Sequence, residues 1–346
     1  MSVPAFRALK ESFGCDLTLL TSPASAPAVS LIEEIDDVIV YESPWNREDT
    51  PAENTLALIS ELRNGSFDAA IIFTVYSQNP LPAALTVFLA GIPRRLAYCR
   101  ENPYQLLTDW VADKEPYCYI SHQVQRDLDL VACVGARTTR DEISLCWSAG
   151  AWTNAREKIL RAGWHPEKPW MILHAGVSEV KRRYAEKRWI EAARMLHGTG
   201  GFQLLFTGVD SERDLTGRLS GQLGEGALDL SGTLSLEEFV ALIAHAPVVV
   251  TVNTATVHLA AATGTPVVVL YAMTNPQHTP WRVLSRVLAF HPPKDLLSRN
   301  QVVRFVYQWL LERVADDASP DNVVRAVMEL TRSAVAGAGY PPDAFQ

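Results

Sequence analysis

The spacing of hydrophobic and polar positions changes repeatedly along the chain. Short runs of apolar, often β-branched residues alternate with longer stretches in which apolar residues recur every three to four positions, as over 50–64 and 123–134. Short strands that alternate with amphipathic helices typically build a parallel sheet with crossover helices. In the first part of the chain the predicted strands are 17–21, 37–41, 69–75 and 95–98.

The same pattern restarts after residue 169 and predicts a second α/β unit. Between the two series, the segment 147–169 contains Gly150, Gly163, Pro166 and Pro169 around a short helical pattern, a composition typical of a domain boundary. The predicted strands of the second series are 170–174, 202–208, 228–230, 248–252 and 267–271.

We therefore predict two Rossmann-like, doubly wound α/β domains whose sheets present their carboxyl ends to a central cleft. The first domain is expected to span 1–150 and the second 170–319, with a linker at 151–169 and a C-terminal helix and tail at 320–346. Two α/β domains that share no site are the alternative.

The amino-terminal residues predict a helix where a strand would be usual. Pro4 falls at the expected first turn of this helix, and the pattern continues through Lys10. In a doubly wound domain the first strand is usually central, so this strand is expected to be absent from the sequence. Either an upstream segment is not included, or the first domain has an altered sheet.

Composition and charge fit an ordinary globular protein, in which a local basic patch is still allowed. The chain has 346 residues, of which 48% are hydrophobic and 20% charged, enough for two cores. Its formal net charge of −8 argues against a nucleic-acid partner, because binding a phosphate backbone needs a basic face.

Cysteine spacing and hydropathy indicate the compartment. The five cysteines lie at none of the short spacings that zinc sites favour, and we interpret them as reduced thiols and expect no metal. No apolar run reaches the length of a transmembrane helix, and no signal peptide is recognised. The sequence predicts a cytoplasmic protein, for which peripheral contact with the inner membrane stays open.

The most informative segment for chemistry is 248–271, in which a buried strand, a polar turn, an Ala-rich helix closed by Gly264 and a second buried strand follow each other. Asn253 or Thr254 can cap the helix, and the amides of its first turn favour an anion such as a diphosphate. His258 lies about one turn further along. The alternative is that the polar residues only cap and His258 only packs.

A second cluster follows the predicted strand 170–174. After a turn of small residues that reaches Ser178, five basic side chains occur before and at the start of the next helix: Lys181, Arg182, Arg183, Lys187 and Arg188. Such a cluster can neutralise phosphate charge. A solvated basic face is the alternative.

A third group follows the predicted strand 202–208. Asp210 and Glu212 stand where a carboxylate could bind ribose hydroxyls, as acids do in dinucleotide-binding folds. Asp210 and Ser211 are equally good helix N-caps, so a purely structural role stays open.

Taken together and in this order, these segments resemble glycosyltransferase family 9, the family of the ADP-heptose:lipopolysaccharide heptosyltransferases. The resemblance extends over nearly the whole chain and is looser in the N-terminal half. It is carried by the segments 4–9, 19–22, 122–130, 174–178, 187–189, 205–210, 229–232, 235–238 and 248–276.

The resemblance implies a GT-B fold, in which the first domain mainly binds the acceptor and the second binds the nucleotide-sugar. It also implies an inverting transfer without an obligatory catalytic metal or another cofactor. The partners would be a nucleotide-sugar, with ADP-heptose as the family's best-known donor, and a glycan or glycolipid acceptor such as the lipopolysaccharide core.

The resemblance also assigns roles to individual residues. Lys187 would contact the donor phosphates, the first amides of the helix with His258 would hold the diphosphate and the sugar, and Asp210 or Glu212 would bind the nucleoside. The full donor-binding set that we predict is Ser178, Lys187, Asp210, Glu212, Asn253, Thr254, Ala255 and His258.

Two departures from the family pattern affect activity. Asn253 and Ala255 stand where the family usually has Asp and Gly, so a charge is lost and a methyl group crowds a turn that approaches the ligand. The aspartate expected as general base follows the absent first strand, so no catalytic residue is assigned. The competing hypotheses are a degenerate GT-B protein that binds nucleotide without catalysis and an epimerase of the related two-domain fold.

Overall fold

The computed structural model describes residues 1–45, 50–272, 275–311 and 314–336. The chain divides into two compact units, Met1–Ile143 and Ser144–Gln346. Both are α/β units with parallel strands, in agreement with the fold class predicted from the sequence. Within the described ranges, no helix is both long and apolar enough to cross a membrane.

The first unit contains two short parallel sheets flanked by helices. β1 pairs with β2, and β3, β4 and β5 form the second sheet in that order. The elements in chain order are α1 (Val3–Phe13), β1 (Thr18–Thr21), β2 (Asp37–Val40), α2 (Glu53–Asn64), β3 (Ala69–Ile72), α3 (Leu81–Leu89), β4 (Arg94–Cys99), β5 (Asp109–Ala112) and α4 (Gln123–Ala132).

The predicted amino-terminal helix is confirmed as α1. Pro4 lies in its first turn, and Gly14 ends it in the left-handed conformation with a φ of 59°, which glycine adopts without strain. The buried face of α1 carries Arg7, whose Nε donates to Glu34 at 2.9 Å. This pairing compensates the burial of the guanidinium charge.

The second unit is built on a single six-stranded parallel sheet in the order β11-β10-β9-β6-β7-β8. Its elements are α5 (Ala149–Arg161), β6 (Trp170–His174), α6 (Glu186–Gly200), β7 (Gln203–Thr207), α7 (Arg213–Gly221), β8 (Ala227–Asp229), α8 (Leu236–His245), β9 (Val249–Val252), α9 (Ala255–Thr263), β10 (Val267–Tyr271), β11 (Ser285–Ala289), α10 (Gln301–Val306) and α11 (Pro320–Ala336).

The strands in the middle of this sheet are buried almost completely, because helices cover both of its faces. Every residue of β7, β9 and β10 is buried, which explains their continuous apolar sequences. The strands predicted from such runs are confirmed in both units. The edge strands β5 and β11 were missed, because they alternate exposed and half-buried positions or begin with polar residues.

The segment predicted as a linker, 151–169, differs in the structure. The boundary falls between Ile143 and Ser144, and α5 belongs to the second unit. Its residues pack on α8, where Lys158 Nζ lies 2.7 Å from a Glu238 carboxylate oxygen and the Trp152 ring stacks on His245 at 3.9 Å. An amphipathic helix with such a partner is part of a core, although its flanking Gly and Pro residues suggested a linker.

The C-terminal helix predicted at 320–346 is present as α11 and is also part of the second unit. Val323, Val327 and Leu330 on its inner face are fully buried in the core that includes α6 and β10. The predicted tail, 337–346, lies outside the described residues.

Candidate functional site

The order of strands in the second unit locates the site. From β6 the chain proceeds outward to β7 and β8, and it then returns to the other side of β6 for β9, β10 and β11. The direction of winding therefore reverses between β6 and β9. In open parallel sheets, ligands bind at the carboxyl ends of the two strands that flank such a switch point. The turns after β6 and β9 meet this condition.

The turn after β9 leaves the beginning of α9 without a side-chain cap. Thr254 is the N-cap residue and has an extended backbone, but its hydroxyl donates to the Val252 carbonyl at 3.4 Å and accepts no hydrogen bond from the helix. Ala255, the first helical residue, is exposed. The first amides of a helix attract anions through their unused hydrogens and the helix dipole, so this helix end is suited to a phosphate group.

Asn253 ties together the ends of two neighbouring strands. It is only 7% exposed, and its side-chain oxygen accepts a hydrogen bond from the Ala272 backbone amide at 3.1 Å. Ala272 directly follows β10. Asn253 thus holds the turn after β9 in register with the end of β10, and Thr254 occupies the cap position. The sequence had left open whether Asn253 or Thr254 would occupy the N-cap position of α9.

His258 lies on the fourth position of α9 and is half-buried. Its ring packs edge to face against His278, with ring centroids 6.0 Å apart and planes at 88°. His278 belongs to a short 3₁₀ turn, Pro276–His278, that follows β10. The two imidazoles give this part of the carboxyl edge of the sheet two further groups that can donate hydrogen bonds.

Arg182 connects the turns after β6 and β9. Its Nη1 donates to the Asn253 carbonyl at 3.4 Å, and its Nη2 lies 2.6 Å from a Glu179 oxygen. The side chain is only 24% exposed. Lys181 pairs with the same carboxylate at 2.5 Å. The structure thus places one guanidinium directly beside the turn that precedes α9.

Lys187 occupies a different environment. It lies in the first turn of α6, its side chain is 88% exposed, and its Nζ is 4.0 Å from the Glu191 carboxylate. Its neighbour Arg188 pairs with Asp316 at 3.1 Å. The role of Lys187 as a phosphate ligand stays a prediction. The sequence identified the basic cluster but could not show that Arg182 is the member that reaches the turn after β9.

The two predicted acidic residues, Asp210 and Glu212, have different environments in the structure. Asp210 is 83% exposed and pairs with Arg213 Nε at 2.6 Å. The Glu212 carboxylate accepts a hydrogen bond from the Val209 amide at 2.9 Å and lies against Gly176 in the turn after β6. A β-carbon on Gly176 would stand 2.0 Å from a Glu212 oxygen. Glycine at this position therefore allows Glu212 to lie at the ends of β6 and β7.

His174 is the last residue of β6, and Ser178 lies in the turn that follows. Ser178 is exposed in the turn. His174 is half-buried, stacks on Phe239 with ring centroids 5.5 Å apart, and shares a hydrogen bond through Nδ1 with Thr207 Oγ1 at 3.0 Å. Burial lowers the pKa of His174 to about 4, so the imidazole is neutral at pH 7.

Metal ligation has no candidate in the part of the chain that the structure describes, since no three His, Cys, Asp or Glu side chains are grouped in a way that could hold an ion. None of the described cysteines forms a disulfide.

Comparison with known proteins gives one consistent family. The family model described as glycosyltransferase family 9 (heptosyltransferase) matches residues 55–295. Lipopolysaccharide heptosyltransferase 2 of Escherichia coli K12 is 24% identical over 306 residues, which cover 84% of this chain and 85% of that protein. Lipooligosaccharide heptosyltransferase 2 of Haemophilus influenzae is 26% identical over 294 residues and 81% of each protein.

Solved structures agree on the fold. The E. coli ADP-heptose lps heptosyltransferase II structure superposes with a TM-score of 0.70 at 22% identity and covers 96% of this chain and 94% of that one. A glycosyl transferase family 9 protein from Veillonella parvula superposes with a TM-score of 0.76 at 14% identity, covering 96% and 93% of the two chains. The fold is therefore the two-unit GT-B type that the sequence predicted. The resemblance seen in the sequence is confirmed, and the chain belongs to glycosyltransferase family 9 and is a glycosyltransferase.

Proposed function

We propose that this chain transfers a heptose-like sugar from a nucleoside diphosphate donor to a hydroxyl group of a lipopolysaccharide core or related cell-surface glycan. Relatives that align over more than four fifths of the chain are named as lipopolysaccharide or lipooligosaccharide heptosyltransferases. The observation within the chain that supports the proposal most directly is the uncapped start of α9 at the switch point of the sheet.

The donor diphosphate would lie against the first amides of α9. Its negative charge would be met by the amides that follow Thr254, by the helix dipole and by the Arg182 guanidinium. His258 and His278 border the same region and can donate to the sugar or a phosphate oxygen. Lys187 could reach the ligand only by extending along the surface, because its side chain is already in water.

The nucleoside would extend toward the ends of β6 and β7. The Glu212 carboxylate lies there against Gly176 and is a suitable acceptor for ribose hydroxyls. Asp210 is far more exposed and is engaged with Arg213. Glu212 is therefore the better candidate of the two acids, and Ser178 in the turn after β6 is available to a phosphate or sugar oxygen.

The proposed reaction is a displacement at the anomeric carbon with inversion of configuration. The acceptor oxygen forms a bond to this carbon, the bond to the diphosphate oxygen breaks, and the acceptor proton leaves to a base. As the leaving diphosphate gains charge, the fixed amides of α9 and the nearby guanidinium stabilise it without having to reorganise. We assign no residue as the base.

A second candidate function is nucleotide binding without transfer, and Asn253 and Ala255 are the observations that favour it. The Asn253 side-chain oxygen already accepts the Ala272 amide, a bond that an aspartate could also make, so this change does not by itself dismantle the turn. The proposed acceptor, lipopolysaccharide, is anchored in a membrane. The proposal therefore includes contact of the chain with a membrane surface.

Calorimetry and a transfer assay test the proposal in two steps. Nucleoside diphosphates and their sugar conjugates are titrated first, and NMR then determines the anomeric configuration of any product formed on a heptose-deficient lipopolysaccharide core. Saturable donor binding with formation of the inverted product is expected. Binding without turnover would assign the second function, and the absence of binding by every nucleotide tested would reject both.

A further inference from the structure

The turn between β6 and α6 brings an acid and an arginine onto the same side of a short helix. Val180–Arg182 forms a 3₁₀ helix, in which the Arg182 amide donates to the Glu179 carbonyl at 2.9 Å and the Arg183 amide donates to the Val180 carbonyl at 3.0 Å. In a 3₁₀ helix, side chains three positions apart lie one above the other. The side chains of Glu179 and Arg182 are therefore neighbours.

The Glu179 carboxylate contacts two cations, one with each of its oxygens. One oxygen lies 2.6 Å from Arg182 Nη2, and the other lies 2.5 Å from Lys181 Nζ. Glu179 stands at the N-cap position of the 3₁₀ helix, but its side chain forms no capping hydrogen bond there. The carboxylate is therefore held by the two positive charges and not by a role as helix cap.

This pairing leaves part of the Arg182 guanidinium unused. Nη1 donates to the Asn253 carbonyl at 3.4 Å, and Nη2 pairs with Glu179. Nε is buried and has no hydrogen-bond partner among the described residues. One hydrogen on Nη2 points in the same direction as the hydrogen on Nε, and such a fork matches two oxygens of a single phosphate or carboxylate group. Glu179 fills only half of this fork.

The Glu179 carboxylate also leaves the start of α9 unused. Arg182 reaches the turn before α9 through the Asn253 carbonyl, and Thr254 gives the first amides of this helix no side-chain cap. A diphosphate can bind the guanidinium and these amides together, and it carries more negative charge than a carboxylate. It is therefore able to replace Glu179 as the partner of Arg182.

We propose that Glu179 is an internal counter-ion that occupies the place of a donor phosphate on Arg182 and Lys181 and is displaced when the diphosphate binds. The inference rests on the proposed function, since it takes the start of α9 as the diphosphate site. Before binding, Glu179 screens the repulsion between the two neighbouring positive charges. On binding, its carboxylate turns toward water, to which 42% of the side chain is already exposed.

The displacement weakens nucleotide binding, because two ion pairs must break before the phosphate can take their place. Ion pairs at such partly exposed positions are individually weak, so the effect on affinity is moderate. Glu179 returns to the two cations when the nucleotide leaves, and the carboxylate therefore favours release as well as opposing binding.

The variant Glu179→Gln tests the displacement, because glutamine keeps the size of the side chain and removes its charge. The full chain is titrated by calorimetry with ADP, CDP, GDP and UDP. We expect Kd of the bound nucleotide to fall roughly three- to tenfold, since no ion pair has to be broken. Thermal denaturation confirms that the variant is folded.

The matched control is Glu186→Gln in the first turn of α6. Its carboxylate has a similar exposure, 36%, and pairs with Arg218 at 2.8 Å. This variant changes the net charge by the same amount but touches neither Lys181 nor Arg182. It should leave Kd within about 1.5-fold of the original value, because a distant surface charge is screened.

A double variant separates displacement from repulsion at a distance. Arg182→Ala removes the guanidinium for which Glu179 and the phosphate compete, so adding Glu179→Gln in this background should change Kd by less than about twofold. A gain in affinity that persists in full without Arg182 would show that Glu179 only repels the ligand, and it would overturn the proposal.

The outcomes distinguish this proposal from the site on which it rests. Equal affinity of the original chain and Glu179→Gln, with measurable binding in both, would overturn the displacement and leave the diphosphate site intact. No binding of any of the four nucleotides by either chain would reject the site and the displacement together. Tighter binding in Glu179→Gln that disappears without Arg182 supports the proposal.

A crystal structure of the original chain with its tightest nucleotide gives a second readout that needs no variant. A phosphate oxygen bound to Arg182 Nη2, with the Glu179 carboxylate turned away from it, is expected. Glu179 still paired with this nitrogen beside a bound diphosphate would contradict the proposal.

Discussion

Replacing Arg182 by alanine tests the proposed diphosphate site at a single side chain. In the structure its side chain is 24% exposed and donates to the Asn253 carbonyl. Water would therefore screen the attraction between the Arg182 charge and a bound phosphate only partly. A hydrogen bond to a charged group contributes about 1.5–3 kcal/mol. Glu179 already pairs with Arg182 and offsets part of this, so the lower end, about 1.5–2 kcal/mol, is expected, which corresponds to a roughly 10- to 30-fold weaker Kd.

The assay is calorimetric titration of a nucleoside diphosphate, with two matched controls on the same basic cluster. Arg188→Ala removes an arginine that pairs with Asp316 at the surface, and Lys187→Ala removes the 88% exposed lysine. Both should change Kd by less than about threefold, because exposed ion pairs contribute little. Denaturation curves confirm that each variant is folded. Unchanged affinity in Arg182→Ala with a loss in Lys187→Ala would refute the structural assignment and support the one made from sequence.

Three further outcomes follow from the geometry of the site. Gly176→Ala should displace Glu212 and weaken nucleotide binding about as much as Glu212→Ala, with no added loss in the double variant; additive losses would show that the two residues act separately. Asn253→Asp should leave stability within about 1 kcal/mol, since the oxygen still accepts the Ala272 amide, and should alter kcat/KM or donor preference; identical kinetics would make Asn253 purely structural. The pKa of His174 falls from 6.5 to about 4 on folding, so the unfolded state binds the proton first as the pH drops. Up to about 3 kcal/mol of the free energy of unfolding should therefore be lost between these two pH values. If urea titrations show that His174→Gln loses as much stability over this pH range as the original chain, another group is the cause.

The strands in the interior of the sheets could be predicted because burial on both faces requires a continuous run of apolar residues. Runs such as Val267–Tyr271 are apolar throughout, as expected for a strand that is covered on both faces. The edge strands β5 and β11 lack such a continuous apolar run, since part of their surface is exposed to water. The boundary at 151–169 was misplaced for a related reason: glycine and proline flank α5, but the apolar face of α5 determines where it packs.

The position of the candidate site follows from local features of the sequence, but which side chains lie together there does not. Strand ends, the turn after β9 and the basic cluster are local features of sequence. Which arginine or lysine bends toward Asn253 depends on how the chain leaves β6 and packs before α6. The same holds for Asn253 itself: its partner, the amide of Ala272, is 19 residues away and becomes visible only when β9 and β10 are paired.

If the diphosphate of a nucleotide-sugar lies at the start of α9, amide NMR on an isotope-labelled chain should detect it at the backbone of that turn. On titration with a nucleoside diphosphate, we expect the largest saturable chemical-shift changes at the backbone amides of Ala255 and Thr256 and at the Arg182 side chain. Shifts of similar affinity that leave these amides unchanged and cluster elsewhere would contradict it.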